Sequence, residues 1–171
     1  IQDLTLNNLL SVPAGFVSLN TNGAVFDGNG PANNVTAQTL SIVSNTGVGT
    51  GIDGAIETQL SNTLSVVNNI GDIFVDNTGT LLVDFVLTQG NITLQAFGGS
   101  LRSNVVDGFA DVLAIGGTVT VNVTGAGSTI GNGTPLEIDA DVFNASSAGG
   151  SINALDVFDS LQIGLVNASG G

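Results

Sequence analysis

Four phrases of this sequence return in the same order, each displaced by roughly 75 to 80 residues. Val17-Ser18-Leu19 with Gly23-Ala24-Val25 returns as Ile92-Thr93-Leu94 with Gly99-Ser100-Leu101. Ala37-Gln38-Thr39-Leu40-Ser41-Ile42 returns as Gly116-Gly117-Thr118-Val119-Thr120-Val121. Val48-Gly49 with Ala55-Ile56-Glu57 returns as Ile130-Gly131 with Pro135-Leu136-Glu137, and Gly71-Asp72-Ile73-Phe74 as Gly150-Ser151-Ile152-Asn153. Ordered self-similarity of this kind marks an array in which each unit buries its apolar face against the next. It divides the chain into a first long repeat, 1–80, a second, 81–160, and the start of a third, 161–171, within one continuous solenoid. The chain opens on Ile1 with no basic n-region, so it reads as a processed or excised segment of something longer.

Inside each repeat the local pattern is that of short strands. Apolar and polar residues alternate at Leu4-Thr5-Leu6, Val17-Ser18-Leu19, Leu40-Ser41-Ile42, Ile92-Thr93-Leu94 and Val119 to Val123, the period of a pleated strand. Turn clusters such as Asp27-Gly28-Asn29-Gly30-Pro31 and Gly131-Asn132-Gly133-Thr134-Pro135 separate them. The best helical spacing, Ile56, Leu60, Leu64 and Val67, is set among Thr, Ser and Asn, which are poor helix formers, and we read it as strand. The expected fold is therefore all-β, a parallel β-helix or β-solenoid in which each strand pairs with its equivalent one coil on. At about 20 residues per coil and about 4.8 Å per coil, the segment would hold roughly eight coils over about 40 Å. Inward aliphatics would stack in columns, and turn Asn residues would form amide ladders. A hairpin sandwich is the competing all-β answer. The internal repeat and the absence of Trp and Tyr anchors favour the solenoid.

Charge removes several functions. Fourteen acidic residues face one basic residue, Arg102, for a net charge of -13. Nucleic-acid binding draws its affinity from Lys and Arg, so it is excluded as a partner class. An anionic membrane surface would repel the chain, no apolar run reaches the roughly 18 residues of a spanning helix, and the aromatic girdles of a membrane barrel are missing; no membrane insertion is expected. The chain is nonetheless unlike a disordered one, since 42% of its residues are hydrophobic and only 9% charged.

The phrases Gly23 to Gly30, Gly71-Asp72-Ile73-Phe74-Val75, Gly98-Gly99-Ser100-Leu101 and Ser128 to Ile138 resemble the repeats of filamentous-haemagglutinin-like exoproteins and other giant bacterial surface adhesins. The resemblance spans most of the chain and is one of repeat style. It implies a right-handed parallel β-helix, secretion across the outer membrane, and service as an adhesive stalk or fibre at the cell surface or outside the cell. No functional residue carries over from it.

Catalytic chemistry has little to work with. Without His, Cys, Lys or Tyr there is no Ser-His-Asp or Cys-His arrangement, no His- or Cys-based zinc site, and no phosphate-binding lysine. Gly49-Thr50-Gly51-Ile52-Asp53-Gly54 matches the spacing of a dinucleotide fingerprint. Its counterpart Gly131-Asn132-Gly133-Thr134-Pro135 lacks the third glycine, and supply of glycine to a solenoid turn explains both. Only carboxylates remain. Glu137, Asp139 and Asp141 alternate along one strand and would share a face, and Asp27, Asp72 and Asp76 sit in oxygen-rich turns. These six are candidate calcium ligands through hard oxygen donors; with a solvated acidic face as the simpler account, no catalytic residue and no cofactor other than calcium is expected. Six Asn-x-Ser/Thr triplets occur, at Asn34, Asn91, Asn122, Asn132, Asn144 and Asn167, of which this composition would produce half by chance, so glycosylation is the lesser reading.

The reading is a non-enzymatic structural repeat of a secreted or surface fibre, adhesin stalk or self-assembling filament, partnered end to end with itself or adjoining repeats through open solenoid edges. A protein that binds or cleaves surface glycans is the alternative; it requires an aromatic platform or an acid pair in a groove. An ice-binding array ranks last, because it needs many Thr-x-Thr triplets and the sequence has two, Thr78-Gly79-Thr80 and Thr118-Val119-Thr120.

Overall fold

A computed structural model describes residues 2–158 and 160–169. The start at Ile1 and the last two residues of the third repeat lie outside them. The strands are β1 (Leu4–Leu6), β2 (Leu10–Asn20), β3 (Val25–Asp27), β4 (Val35–Ser44), β5 (Ile56–Leu60), β6 (Thr63–Asn68), β7 (Ile73–Thr78), β8 (Leu81–Thr88), β9 (Ile92–Phe97), β10 (Leu101–Ser103), β11 (Val112–Thr124), β12 (Leu136–Ser147), β13 (Ala154–Asp156) and β14 (Gln162–Ala168). Every recorded pairing is parallel. β8 and β9 follow one another in the chain without pairing; β6 pairs with β8 and β7 with β9, as a chain wound in coils requires. The fold is an all-β parallel solenoid of about seven turns, about 34 Å of stacked strands at the spacing of a parallel sheet. The segment 56–67 forms β5 and β6, as its residue types favour.

The pairings thread the core. Leu4, Val25, Val48, Ile73, Ile92, Val119, Phe143 and Ile163 lie in register in one column. Leu40, Leu64 and Val83 form a second, and Val66, Val86, Val112 and Ile138 a third. The middle members of each column are fully buried, and burying one aliphatic side chain contributes about 1.5 to 3 kcal/mol before ordering costs. Coil length is uneven. One step of the first column takes 19 residues, Ile73 to Ile92, and the next takes 27, Ile92 to Val119. The extra residues sit in loops outside the coil, so the column is undisturbed.

The unit the structure repeats is the coil, and the 75-to-80-residue displacement is not a whole number of coils. Val48 belongs to the column of Val25 and Ile73, whereas its sequence counterpart Ile130 pairs with Leu101 and Ile152. The related phrases are thus used on different columns. Pairing runs unbroken past residue 80, since β6–β8 and β7–β9 bridge it.

Polar side chains are buried where the coil turns. Asn68 Oδ1 accepts hydrogen bonds from Ser44 Oγ (2.9 Å) and the Gly47 amide (3.0 Å), while Nδ2 donates to the Ile70 and Gly71 carbonyls and to Thr88 Oγ1. Asn77 repeats the device, accepting from Thr58 Oγ1 and the Leu60 amide and donating to the carbonyls of Thr78, Gly79 and Thr80. Each amide replaces the water that the turn backbone would otherwise need. An exposed amide ladder joins Asn45, Asn69 and Gln89 on three successive coils.

Candidate functional site

Loops of unequal length overhang one side of the early coils. Residues 28–34 separate β3 from β4, and residues 49–55 separate Val48 from β5, whereas β7 and β9 run straight across the equivalent region. The two loops overhang strands that continue beneath them. The fingerprint-like stretch 49–54 lies in the second loop and includes a short 3-10 turn at residues 52–54. Gly49 adopts φ +71° with the carbonyls of Gly54 and Phe74 against the position of any Cβ, so the glycines serve a turn. The loop 28–34 is fastened by buried Asn34, whose Oδ1 accepts from the Glu57 amide at 2.8 Å and whose Nδ2 donates to Asp27 Oδ1 and Asn29 Oδ1. Asn34 is one of the Asn-x-Ser/Thr positions, and its amide is fully engaged inside the fold.

The overhang encloses a groove of about 460 Å³. Pro31, Asn33 and Asp53 come from the loops, Glu57 and Asp76 from the floor, and Thr78 and Phe97 from the far side. Glu57 pairs in register with Asp76, Asp76 with Gln95, and Gln95 with Asn122. One outward side chain per coil therefore runs along the axis. Gln95 Nε2 donates to Asp76 Oδ1 at 3.0 Å, and Asn122 Nδ2 donates to Gln95 Oε1 at 3.0 Å. Glu57 ends this ladder differently: its Oε2 is buried and has no hydrogen-bond partner. Burial pushes the Glu57 carboxyl up to about 7, with repulsion from Asp27 and Asp76 adding to the rise and its backbone hydrogen bond opposing it. Burial also raises Asp76, against the lowering effect of Gln95. Phe97, in register with Thr78, leaves 41% of its surface open to solvent.

A second acidic pair lies under the loop 104–111. Glu137 is fully buried and its two carboxylate oxygens accept from the Asp107 and Gly108 amides at 3.1 and 2.9 Å. Asp111, which donates its own amide to the Glu137 carbonyl, has a buried Oδ2 without a partner. Burial pushes its carboxyl up to about 6; Ser103 opposes this, and Glu137, Asp107 and Asp84 add to it.

The six sequence candidates for calcium are placed separately. Glu137 is covered by a loop, Asp139 is half-buried and Asp141 is exposed at a corner where the inward parity changes from Ala140 to Phe143. Asp27 Oδ1 accepts from the Asn29 amide, Asp72 Oδ1 from the Asn91 amide, and Asp76 Oδ1 from Gln95. Among the described residues no group of three or more acidic side chains is arranged to hold a metal ion. Glu57, Asp53 and Phe97 are the groove residues that sequence reasoning missed. The signal was the 19-residue spacing of Glu57 and Asp76, which has meaning only once a coil length is known.

Among the described residues, the first and last coils each have one strand edge without a pairing. Among the described residues β14 pairs only with β12, and β1 and β2 pair only with β3 and β4. Inward positions that are buried mid-stack are bare here: Ile163, which continues the column of Phe143, is 59% exposed, and Val166, in register with Ala145, is exposed beside it. At the other end Leu10 and Val12, in register with Val35 and Ala37, are exposed in the same way.

No protein-family model matches the chain, and neither a curated protein nor a solved structure matches it. What fold and surface define is a class: a parallel β-solenoid carrying an overhung groove.

Proposed function

We propose that this chain is a structural segment of a secreted or cell-surface fibre, extending an adhesin stalk or filament by stacking end to end with adjoining repeats or further copies of itself. One observation carries the reading. Among the described residues, the first and last coils present a parallel strand edge without a pairing, flanked by exposed aliphatics, Leu10 and Val12 on the first and Ile163 and Val166 on the last. A parallel edge is a template for a further parallel strand, and the aliphatics are columns awaiting their next member. The role is mechanical and assigns no catalytic residue. Its acidity suits a medium rich in salt or divalent ions, where screening relieves repulsion between like-charged coils.

Electron microscopy and sedimentation of the purified chain across a salt series test it. We expect rods one solenoid wide that lengthen with concentration and salt. The double variant Ile163→Lys/Val166→Lys, which places charge on the free edge, should remain short. Uniform compact particles at every salt and concentration, with the variant indistinguishable from the parent, would reject the proposal.

A further inference from the structure

We infer that the groove beneath the loops 28–34 and 49–55 binds a neutral oligosaccharide, lying along the solenoid axis with one sugar ring against Phe97 and its hydroxyls hydrogen-bonded to Glu57 and Asp76. Four observations converge. The space, about 460 Å³, suits a ligand of a few rings, within the ordinary range for small-molecule sites. Its floor offers polar side chains on two successive coils, Glu57 and Asp76 in register, at about 4.8 Å spacing. That spacing is close to the rise of one pyranose unit in an extended glycan, so successive sugars meet successive coils. Phe97 stands partly bare beside that floor, and an exposed aromatic face is a surface on which the C–H face of a sugar packs. Finally, Asn33, Asp53 and Thr78 add polar groups around the same groove, and a few placed polar groups fix a ligand's orientation.

The charge of the site selects among ligands. Anionic sugars meet Asp53, Glu57 and Asp76 with no cation to compensate them, because the chain's one basic side chain, Arg102, is directed to the Asn132 carbonyl at 3.5 Å. A divalent ion lacks a third carboxylate arranged for it among the described residues. A carboxyl held near neutrality by burial, as at Glu57, both donates to and accepts from hydroxyls, which suits an uncharged polyol.

Titration of the isotope-labelled chain with neutral hexasaccharides (cellohexaose, maltohexaose, chitohexaose and a mannohexaose), followed by amide chemical shifts, tests the inference. We expect at least one to shift Thr78, Gln95 and Phe97 saturably, with an affinity that changes less than twofold between 50 and 500 mM NaCl. Phe97→Ala should weaken binding at least tenfold and Phe97→Trp should tighten it, while Phe109→Ala, at a distant exposed Phe, leaves it unchanged. Phe97 is surface-exposed, so thermal melts of these variants should match the parent. Absence of saturable shifts with every saccharide, equal binding by the Phe97→Ala chain, or binding of spermidine in place of saccharides with a steep salt dependence would overturn it. The edge variant Ile163→Lys/Val166→Lys should bind as the parent does, which separates this outcome from that of the fibre test.

Discussion

At the scale of single residues, two asparagines that look alike in sequence do unlike work. Asn68 is enclosed and satisfies the Gly47 amide together with the carbonyls of Ile70 and Gly71, whereas its neighbour Asn69 belongs to an exposed ladder. Replacing Asn68 by Ala strands several buried backbone groups, and a cost of about 3 kcal/mol is expected. Asn69→Ala exchanges two exposed amide hydrogen bonds for water and should stay within about 0.5 kcal/mol. Denaturant midpoints of the two variants check the contrast; equal losses would show that the inner amides are not what holds the turns. In sequence the two are adjacent and alike. Which of them faces inward follows from strand parity, and parity is readable only after the corner is located.

At the scale of elements, the coil is held in register by the close stacking of its turns. Gly71, Gly90 and Gly117 occupy one corner on successive coils, and a Cβ on Gly117 would fall within the van der Waals radius of the Gly90 carbonyl. Gly117→Ala must push the β11 corner away from the coil beneath and should cost about 1 to 3 kcal/mol. Gly98, which has open space around its Cβ position although its φ of +73° favours glycine, should lose about 1 kcal/mol on substitution by Ala, from backbone strain alone. Thermal melts of the pair separate crowding from conformation. Most strands were legible here: the alternation at 40–42, 92–94 and 119–123 lies in β4, β9 and β11. The length of the coil was not, because loops such as 104–111 are inserted outside the wall and leave no mark on the inward pattern.

At the scale of the whole molecule, stability should fall as pH rises. Glu57, displaced from 4.5 to about 7, and Asp111, displaced from 3.8 to about 6, both bind protons more tightly folded than unfolded. Their contribution is fully present below about pH 4 and is lost as pH rises through about 6 and then about 7. Repulsion within a chain of net charge -13 acts in the same direction. We expect a Tm about 5 °C higher at pH 5 than at pH 8, with allowance for solvent screening at Glu57. Salt at pH 8 should recover the repulsive part, and Glu57→Gln with Asp111→Asn should flatten the part due to burial. A Tm that climbs steadily from pH 5 to pH 8 would contradict both assignments.

Alternation and turn chemistry determined, from the sequence alone, that this chain forms short strands and repeats itself. These are local or summed properties, and period 2 reads the same wherever a strand is placed. Only the tertiary structure decided which residues share a column and which side chains meet outside it. Glu57, Asp76 and Gln95 are separated by 19 residues at each step, and winding makes them neighbours. Winding likewise buried Glu137 beneath a loop and left Asp141 in solvent, although the two are four residues apart on one strand. The reason is physical: in a solenoid lateral contacts are set by the length of each coil, and coil length is the sum of loops whose residues take no part in the core.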